Sequence, residues 1–162
     1  MGVGKSLVAK HLAAKLKRDV VSTDDVIVAR EGHPITRIFQ EKGEEYFRKL
    51  EVQAVADIAA RKGIIIDCGG GVAVNPQNMK NLRKNGIVFY LSASAEEIYK
   101  NVSGQEHRPL LNAPDPKARI AELLNRRRPF YEKADHIIDA NGKTGEQLCA
   151  EILLLLRGQP DA

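Results

Sequence analysis

The opening residues constrain this chain most: Gly2-Val3-Gly4-Lys5-Ser6-Leu7 runs straight into a helical pattern. Glycines let the backbone curl so that successive N–H groups point at one anion, and the helix behind them adds its positive end. In such a loop Lys5 reaches the β/γ-phosphates of a nucleotide, and the Ser6 hydroxyl sits on Mg²⁺. The residues match the second half of a phosphate-binding P-loop, Gly-x4-Gly-Lys-[Ser/Thr]. The glycine that opens such a loop, and the strand that feeds it, would both precede Met1. A helix-initiating turn without a ligand is the plain alternative for so short a stretch. The rest of the chain has to decide.

Val8, Leu12 and Leu16 recur at i+4 and predict a helix over 5–17 with one buried stripe. Val20-Val21 reads as a short strand ending at Ser22-Thr23-Asp24-Asp25. Carboxylates at the C-terminal end of a strand stand where α/β sheets place ligands. Helices follow over 26–30 and from Pro34, broken by Gly43, then over 44–61 with Phe47, Leu50, Ala54 and Ile58 inward. Ile64-Ile65-Ile66 is an apolar run closed by Asp67, as in a parallel strand buried on both faces, and leads into Gly69-Gly70-Gly71. Three glycines discard side chains where a ligand approaches the backbone, or where φ must be positive.

A helix over 76–85, a strand over 87–91 and a helix over 95–102 capped by Ser94 come next. Residues 103–114 lack any period and contain His107-Arg108-Pro109, which predicts a mobile loop. A helix over 117–126 is punctuated by Pro129, a strand covers 136–139, and a helix over 144–157 buries Ile152 to Leu156. Residues 158–162 read as a tail. Four strands alternating with helices, plus the strand implied by the P-loop, predict an α/β fold: a parallel sheet covered by helices on both faces, in one domain over 1–162.

Apolar residues at 43% and charged residues at 28% are those of an ordinary globular protein. Two cysteines are too few for a disulfide framework and suit a reducing cytoplasm. No apolar run is long enough to cross a membrane. The net charge of +4 and the Arg126-Arg127-Arg128 run admit an anionic partner. With 5% aromatic residues and no base-reading motif, that partner is a small molecule rather than a nucleic acid.

The residues then resemble a family. Gly-Val-Gly-Lys-Ser, Thr23-Asp24, Ile38-Phe39, Gly43-Glu44, Phe47-Arg48-x-x-Glu51, Gly69-Gly70-Gly71, Arg108-Pro109-Leu110-Leu111 and Arg127-x-Pro129-x-Tyr131 stand in the order and spacing of shikimate kinases. The resemblance implies a three-layer P-loop kinase fold with strand order 2-3-1-4-5, its first strand preceding Met1, which resembles the internal methionine of the family's loop. It implies transfer of phosphate from ATP, with Mg²⁺, to the 3-hydroxyl of shikimate, on the way to the aromatic amino acids, by a cytoplasmic monomer. Gly2, Val3, Gly4, Lys5, Ser6 and Leu7 would wrap the ATP phosphates, and Arg108 would close over them. Asp24 would hold the reacting hydroxyl. Arg48 and Arg127 would bind the shikimate carboxylate, with Glu51 orienting Arg48, and Gly69, Gly70 and Gly71 would offer backbone to the substrate.

Taken singly, these residues have duller readings. An Asp near a strand end is usually a helix cap, an Arg on an amphipathic helix is usually solvated, and an arginine run is usually a wet helix end. Their joint spacing carries the reading. Three departures stand out. Ser22 replaces the first Asp of the family's Asp-x-Asp, whose charge helps hold the Mg²⁺ water shell, and Asp67 at the end of the buried strand is the candidate to supply it, as in a Walker-B strand. Asn101 stands where an arginine often precedes the lid, and Lys143-Thr144 replaces an arginine-rich turn on the adenine side. A kinase-like binding protein without activity, and a P-loop kinase for another small hydroxy acid, are the alternatives.

Overall fold

The structure, a computed structural model, describes residues 2–103 and 114–158. Arg108, nearly all of the predicted lid and nearly all of the tail lie outside the described residues. The chain divides into two compact units, Leu12–Val88 and Met1–His11 with Phe89–Ala162, the first boundary falling within helix α1 (Lys5–Leu16).

Unit Leu12–Val88 is built on two parallel strands, β1 (Asp19–Ser22) and β2 (Ile64–Asp67), in the register Asp19 with Ile64 through Ser22 with Asp67. The crossover between them carries α2 (Thr23–Glu31) and the long α3 (Ile35–Ala59). The predicted break is present within α3: Gly43 has φ 77° and ψ 174°, a region essentially confined to glycine. Phe39 and Phe47, on either side of it, hold ring centroids 4.6 Å apart.

Two stripes of α3 are apolar. Ile38, Phe47, Ala54 and Ile58 pack with Ile27 of α2. Val55 and Ala59 pack instead with Val72, Met79 and Leu82, the last two from α4 (Pro76–Asn85). A polar clamp adds to the first contact: Glu31 of α2 accepts hydrogen bonds from Lys42 Nζ at 2.8 Å and from Tyr46 Oη at 3.1 Å. The Lys42 hydrogen bond is the main cause holding the Glu31 carboxyl below its usual range. A depressed carboxyl stabilises the fold above its unfolded-state pKa, so the clamp weakens as pH falls through the folded value.

The other unit holds β3 (Phe89–Ser92) and β4 (His136–Asp139), again parallel, with α5 (Ala95–Val102), α6 (Pro116–Tyr131) and α7 (Gly145–Arg157). Ile98 and Val102 of α5 and Ile120 of α6 form its fully buried cluster. Thr144 and Gln147 close α7 with a reciprocal capping box. Among the described residues the strands pair as β1–β2 and β3–β4, one pair in each unit.

Three expectations change. β2 is half-buried along its whole length rather than buried on both faces; among the described residues β1 alone shares its sheet. α6 continues through Pro129 to Tyr131. A proline in the last turn forfeits one hydrogen bond near a helix end, where bonding is running out anyway. In α7 the buried stripe is Leu148, Cys149 and Ile152, whereas Leu154 is 66% exposed, because 3.6-residue periodicity turns the end of a continuous apolar run outward.

An alanine at position 43 would meet no atom within 4 Å, so only backbone strain opposes it. Gly43→Ala is expected to cost about 1–3 kcal/mol. Urea denaturation checks this as a lower midpoint with an unchanged slope.

Candidate active site

In unit Leu12–Val88 the C-terminal ends of β1 and β2 carry the candidate groups. Ser22 is extended (φ −88°, ψ 130°), and its Oγ accepts the Asp25 N–H at 3.2 Å, so it is the N-cap of α2. The cap role is therefore Ser22's rather than Asp24's, which leaves Asp24 in the first helical turn with its carboxylate beside Gly69. Thr23 between them is completely buried, and its Oγ1 accepts the Gly69 N–H at 2.8 Å. That bond ties the end of β1 to the glycine loop after β2.

Two glycines of the triplet are explained by what they touch. A Cβ on Gly69 would collide with Asp24 Oδ1. A Cβ on Gly71 would collide with Arg48 Nη1 and lie 2.8 Å from its Cζ. Neither glycine has positive φ, so close approach, not backbone freedom, is the reason for glycine here. The loop is held from behind by fully buried Asn78 of α4, whose Nδ2 donates to the Val72 carbonyl at 3.1 Å.

Arg48 projects from α3 between two carboxylates. Its Nη1 donates to both oxygens of Glu51 at 3.0 Å, and Glu51 is 1% exposed. Its Nε and Nη2 both donate to Glu44 Oε1, at 3.3 and 3.0 Å. Burial alone pushes the guanidinium pKa down; the charge of Glu51 and the hydrogen bonds from Glu44 and Glu51 outweigh it and hold the pKa above its ordinary value. Arg48 is thus no solvated helix charge. It is a fixed, fully ionised fork.

In the other unit the phosphate loop has the conformation its glycines suggest. Gly2 and Gly4 have φ 62° and 84°. A Cβ on Gly2 would stand 2.6 Å from Val102 Cγ1 of α5, whereas Gly4 has open space and needs glycine for its φ alone. The Gly4 carbonyl accepts the N–H groups of Leu7 and Val8, both at 3.1 Å, which starts α1. No acidic residue occupies the first turn of α1, so its positive end is not offset there. Val3 is buried, Lys5 half-buried, and Ser6 and Leu7 exposed. Of the arginine run on α6, Arg126 and Arg128 are exposed and Arg127 alone is half-buried.

Ser22 and Asp67 are register partners at the ends of their strands. Among the described residues no cluster of three or more His, Cys, Asp or Glu could hold a metal. The Ser6 hydroxyl in one unit and the Asp67 carboxylate in the other each carry hard oxygen atoms, the kind that Mg²⁺ and its waters take as partners. Lys143 pairs with Glu151 at 2.7 Å, and Thr144 is spent on the α7 cap.

Sequence reasoning assigned no role to Thr23, Glu44 or Asn78. Thr23 and Asn78 act through side chain–backbone hydrogen bonds, across 46 and 6 residues, which leave no periodic signal. Glu44 sits four residues before Arg48, a spacing that usually means a solvated helix pair.

The sequence profile of the family described as shikimate kinase matches residues 1–157. A shikimate kinase of Caldanaerobacter subterraneus subsp. tengcongensis is 44% identical over 153 residues, spanning 94% of this chain and 90% of that protein. One of Thermodesulfovibrio yellowstonii is 42% identical over 153 residues, spanning 94% and 88%. The solved shikimate kinase from Acinetobacter baumannii in complex with shikimate superposes with a TM-score of 0.91 at 32% identity, over 99% of this chain and 90% of that one. That of Aquifex aeolicus gives 0.84 at 33% identity, over 98% and 92%.

Replacing Thr23 with valine keeps its shape but orphans the Gly69 N–H. Thr23→Val is expected to lose about 1–3 kcal/mol of stability, read as a lower urea midpoint, whereas Thr23→Ser should retain most of it.

Proposed function

The chain belongs to the shikimate kinase family, and on that premise we propose that it transfers the γ-phosphoryl group of ATP to the 3-hydroxyl of shikimate, giving shikimate 3-phosphate and ADP. The observation that carries this reading is the seating of the Asp24 carboxylate and the Arg48 guanidinium directly on Gly69 and Gly71. An acceptor for a hydroxyl proton and a fork for a carboxylate are what a hydroxy acid needs in order to be held and oriented.

Phosphoryl transfer requires positioning and neutralisation of charge more than covalent help. Gly2 to Leu7 hold the ATP phosphates, with Lys5 on the β/γ-oxygens. Asp24 accepts a hydrogen bond from the 3-hydroxyl and takes its proton as the oxygen–phosphorus bond forms and the bond to ADP breaks. Arg48 and Arg127 bind the carboxylate through planar N–H forks. Gly69, Gly70 and Gly71 present backbone to the ring. Arg108 neutralises charge on the transferring group. Mg²⁺, when bound, would offset the charge of the ATP phosphates. Ser6 would hold it, and Asp67 would act on its water shell in place of a carboxylate at position 22. Support for Asp67 is its partnership with Ser22 in the β1–β2 ladder. The enzyme works in the cytoplasm; among the described residues no helix is long and apolar enough to cross a membrane.

The test is release of ADP from Mg·ATP with and without shikimate. Shikimate-dependent ADP is the expected outcome; shikimate binding by folded protein without ADP release would instead support a binding protein. Asp24→Asn is expected to lower kcat about 10²- to 10⁴-fold. Arg48→Ala should raise the KM for shikimate about 10- to 100-fold. Asp67→Asn should both slow turnover and raise the Mg²⁺ concentration needed for half-maximal binding of ATP. Wild-type behaviour of Asp67→Asn on both counts would remove that residue from the metal side.

A further inference from the structure

We infer that Glu44 is a displaceable carboxylate that occupies the outer fork of Arg48 until the carboxylate of the substrate takes its place, and that it thereby sets how tightly carboxylate acceptors bind. The inference rests on the reading of Arg48 as the carboxylate-binding residue. Four observations carry it.

The two carboxylates on Arg48 are not alike. Glu51 is buried, and both its oxygens engage Nη1. Glu44 engages through one oxygen and keeps 68% of its side chain exposed. One is built in and the other can swing away.

The position Glu44 takes is the useful one. An arginine binds a planar carboxylate best along an edge offering two parallel N–H groups. Glu51 already occupies Nη1, and Gly71 lies against the guanidinium. The Nε/Nη2 edge is the remaining complete fork, and Glu44 Oε1 sits on it at 3.3 and 3.0 Å.

Charge makes the arrangement self-limiting. Arg48 contributes one positive charge, and Glu44 and Glu51 one negative charge each, so the trio carries a net −1. A third carboxylate meets repulsion there unless one of the two leaves. With Glu44 displaced, the incoming carboxylate restores the same balance rather than adding to it.

Finally, Glu44 stands at the edge of the helical segment that carries Arg48. Glu44 follows Gly43, whose φ of 77° and ψ of 174° interrupt α3, so Glu44 begins a helical segment rather than standing in its middle. An exposed ion pair of this spacing is weakly held, so an incoming substrate can exchange with it.

Isothermal titration of shikimate decides the matter, run on the wild type, Glu44→Gln, Arg48→Ala and the Arg48→Ala/Glu44→Gln double variant, with the methyl ester of shikimate as a ligand lacking the charge. Glu44→Gln is expected to tighten shikimate about 1.5- to fivefold, the range spanned by removal of an exposed competing pair. The methyl ester should show no such gain, and the gain should vanish when Arg48 is also replaced. Unchanged or weakened shikimate binding by Glu44→Gln would overturn the inference, because a glutamate that merely orients Arg48 gives that sign. An equal gain for acid and ester would overturn it as well. If Arg48→Ala binds the acid as well as the wild type does, the underlying reading of Arg48 fails instead, and the two failures are told apart. Glu44 is exposed, so its variants should fold; a thermal melt on each confirms it.

Discussion

The parallel ladder between β1 and β2 is the constraint from which the acceptor side hangs. Its register puts Ser22 opposite Asp67, so the two strands end level. Because they end level, the residue after Ser22 lies within reach of the loop after β2, and the Thr23 hydroxyl can take the Gly69 N–H at 2.8 Å. That bond sets how close the loop comes to α2 and α3. At that distance no side chain fits on Gly69 or Gly71, because Asp24 and Arg48 already fill the space. A register slip of one residue would turn Ser22 to the other face of the sheet, and the cap, the buried hydroxyl and both close approaches would be lost together.

What the sequence made legible follows from which forces leave a local trace. Helix α4 and strand β4 are read to the residue, because Pro76 and Gly86 bracket the one and a charged residue closes the other. The kink at Gly43 is legible because only glycine takes that backbone without strain. The end of α6 is not. Pro129 signals a stop, but a proline so near a helix end costs only one bond, and packing such as Tyr131 against Tyr90, at 5.0 Å between ring centroids, carries the helix on. The burial of β2 was over-read for a related reason: an all-apolar strand states a preference for cover, while the cover itself depends on neighbours elsewhere in the chain. At the site, Asp24, Arg48 and the glycines were legible through joint spacing. Thr23 and Asn78 were not, since a buried hydrogen bond across 46 residues, as between Thr23 and Gly69, has no sequence signature.

Glu51 shows how a buried charge is accommodated. Its place on α3, three residues before Ala54 and four before Val55, puts it on the buried side of the helix. An isolated carboxylate there would be strongly disfavoured. Arg48, one turn earlier, supplies both a charge and two hydrogen bonds. Such a pair contributes little net stability, because desolvating both ions offsets most of their attraction. Its consequence is geometric. Arg48 is held at one rotamer by a partner that cannot follow it into solvent, and the cost of ordering a long flexible side chain is met in folding rather than on binding.

Ser22 and Asp67 extend the same reasoning from position to charge. An aspartate at the end of β1 could serve two purposes: capping α2 and placing a negative charge near a metal. Serine preserves the first, as its bond to the Asp25 N–H demonstrates, and gives up the second. The two functions are separable because capping needs an oxygen at one backbone position, whereas an electrostatic role needs only a charge at suitable range. Neighbouring strands lie about 4.8 Å apart, so moving the carboxylate to Asp67 shifts the charge by roughly one strand spacing. A ligand bonded directly to Mg²⁺ could not tolerate that, given the strict octahedral geometry of the ion. A carboxylate acting through the metal's water shell can, since its attraction falls only as the inverse of distance. On the proposed reading, the substitution at position 22 is therefore compatible with an outer-shell role for Asp67 and incompatible with an inner-shell one.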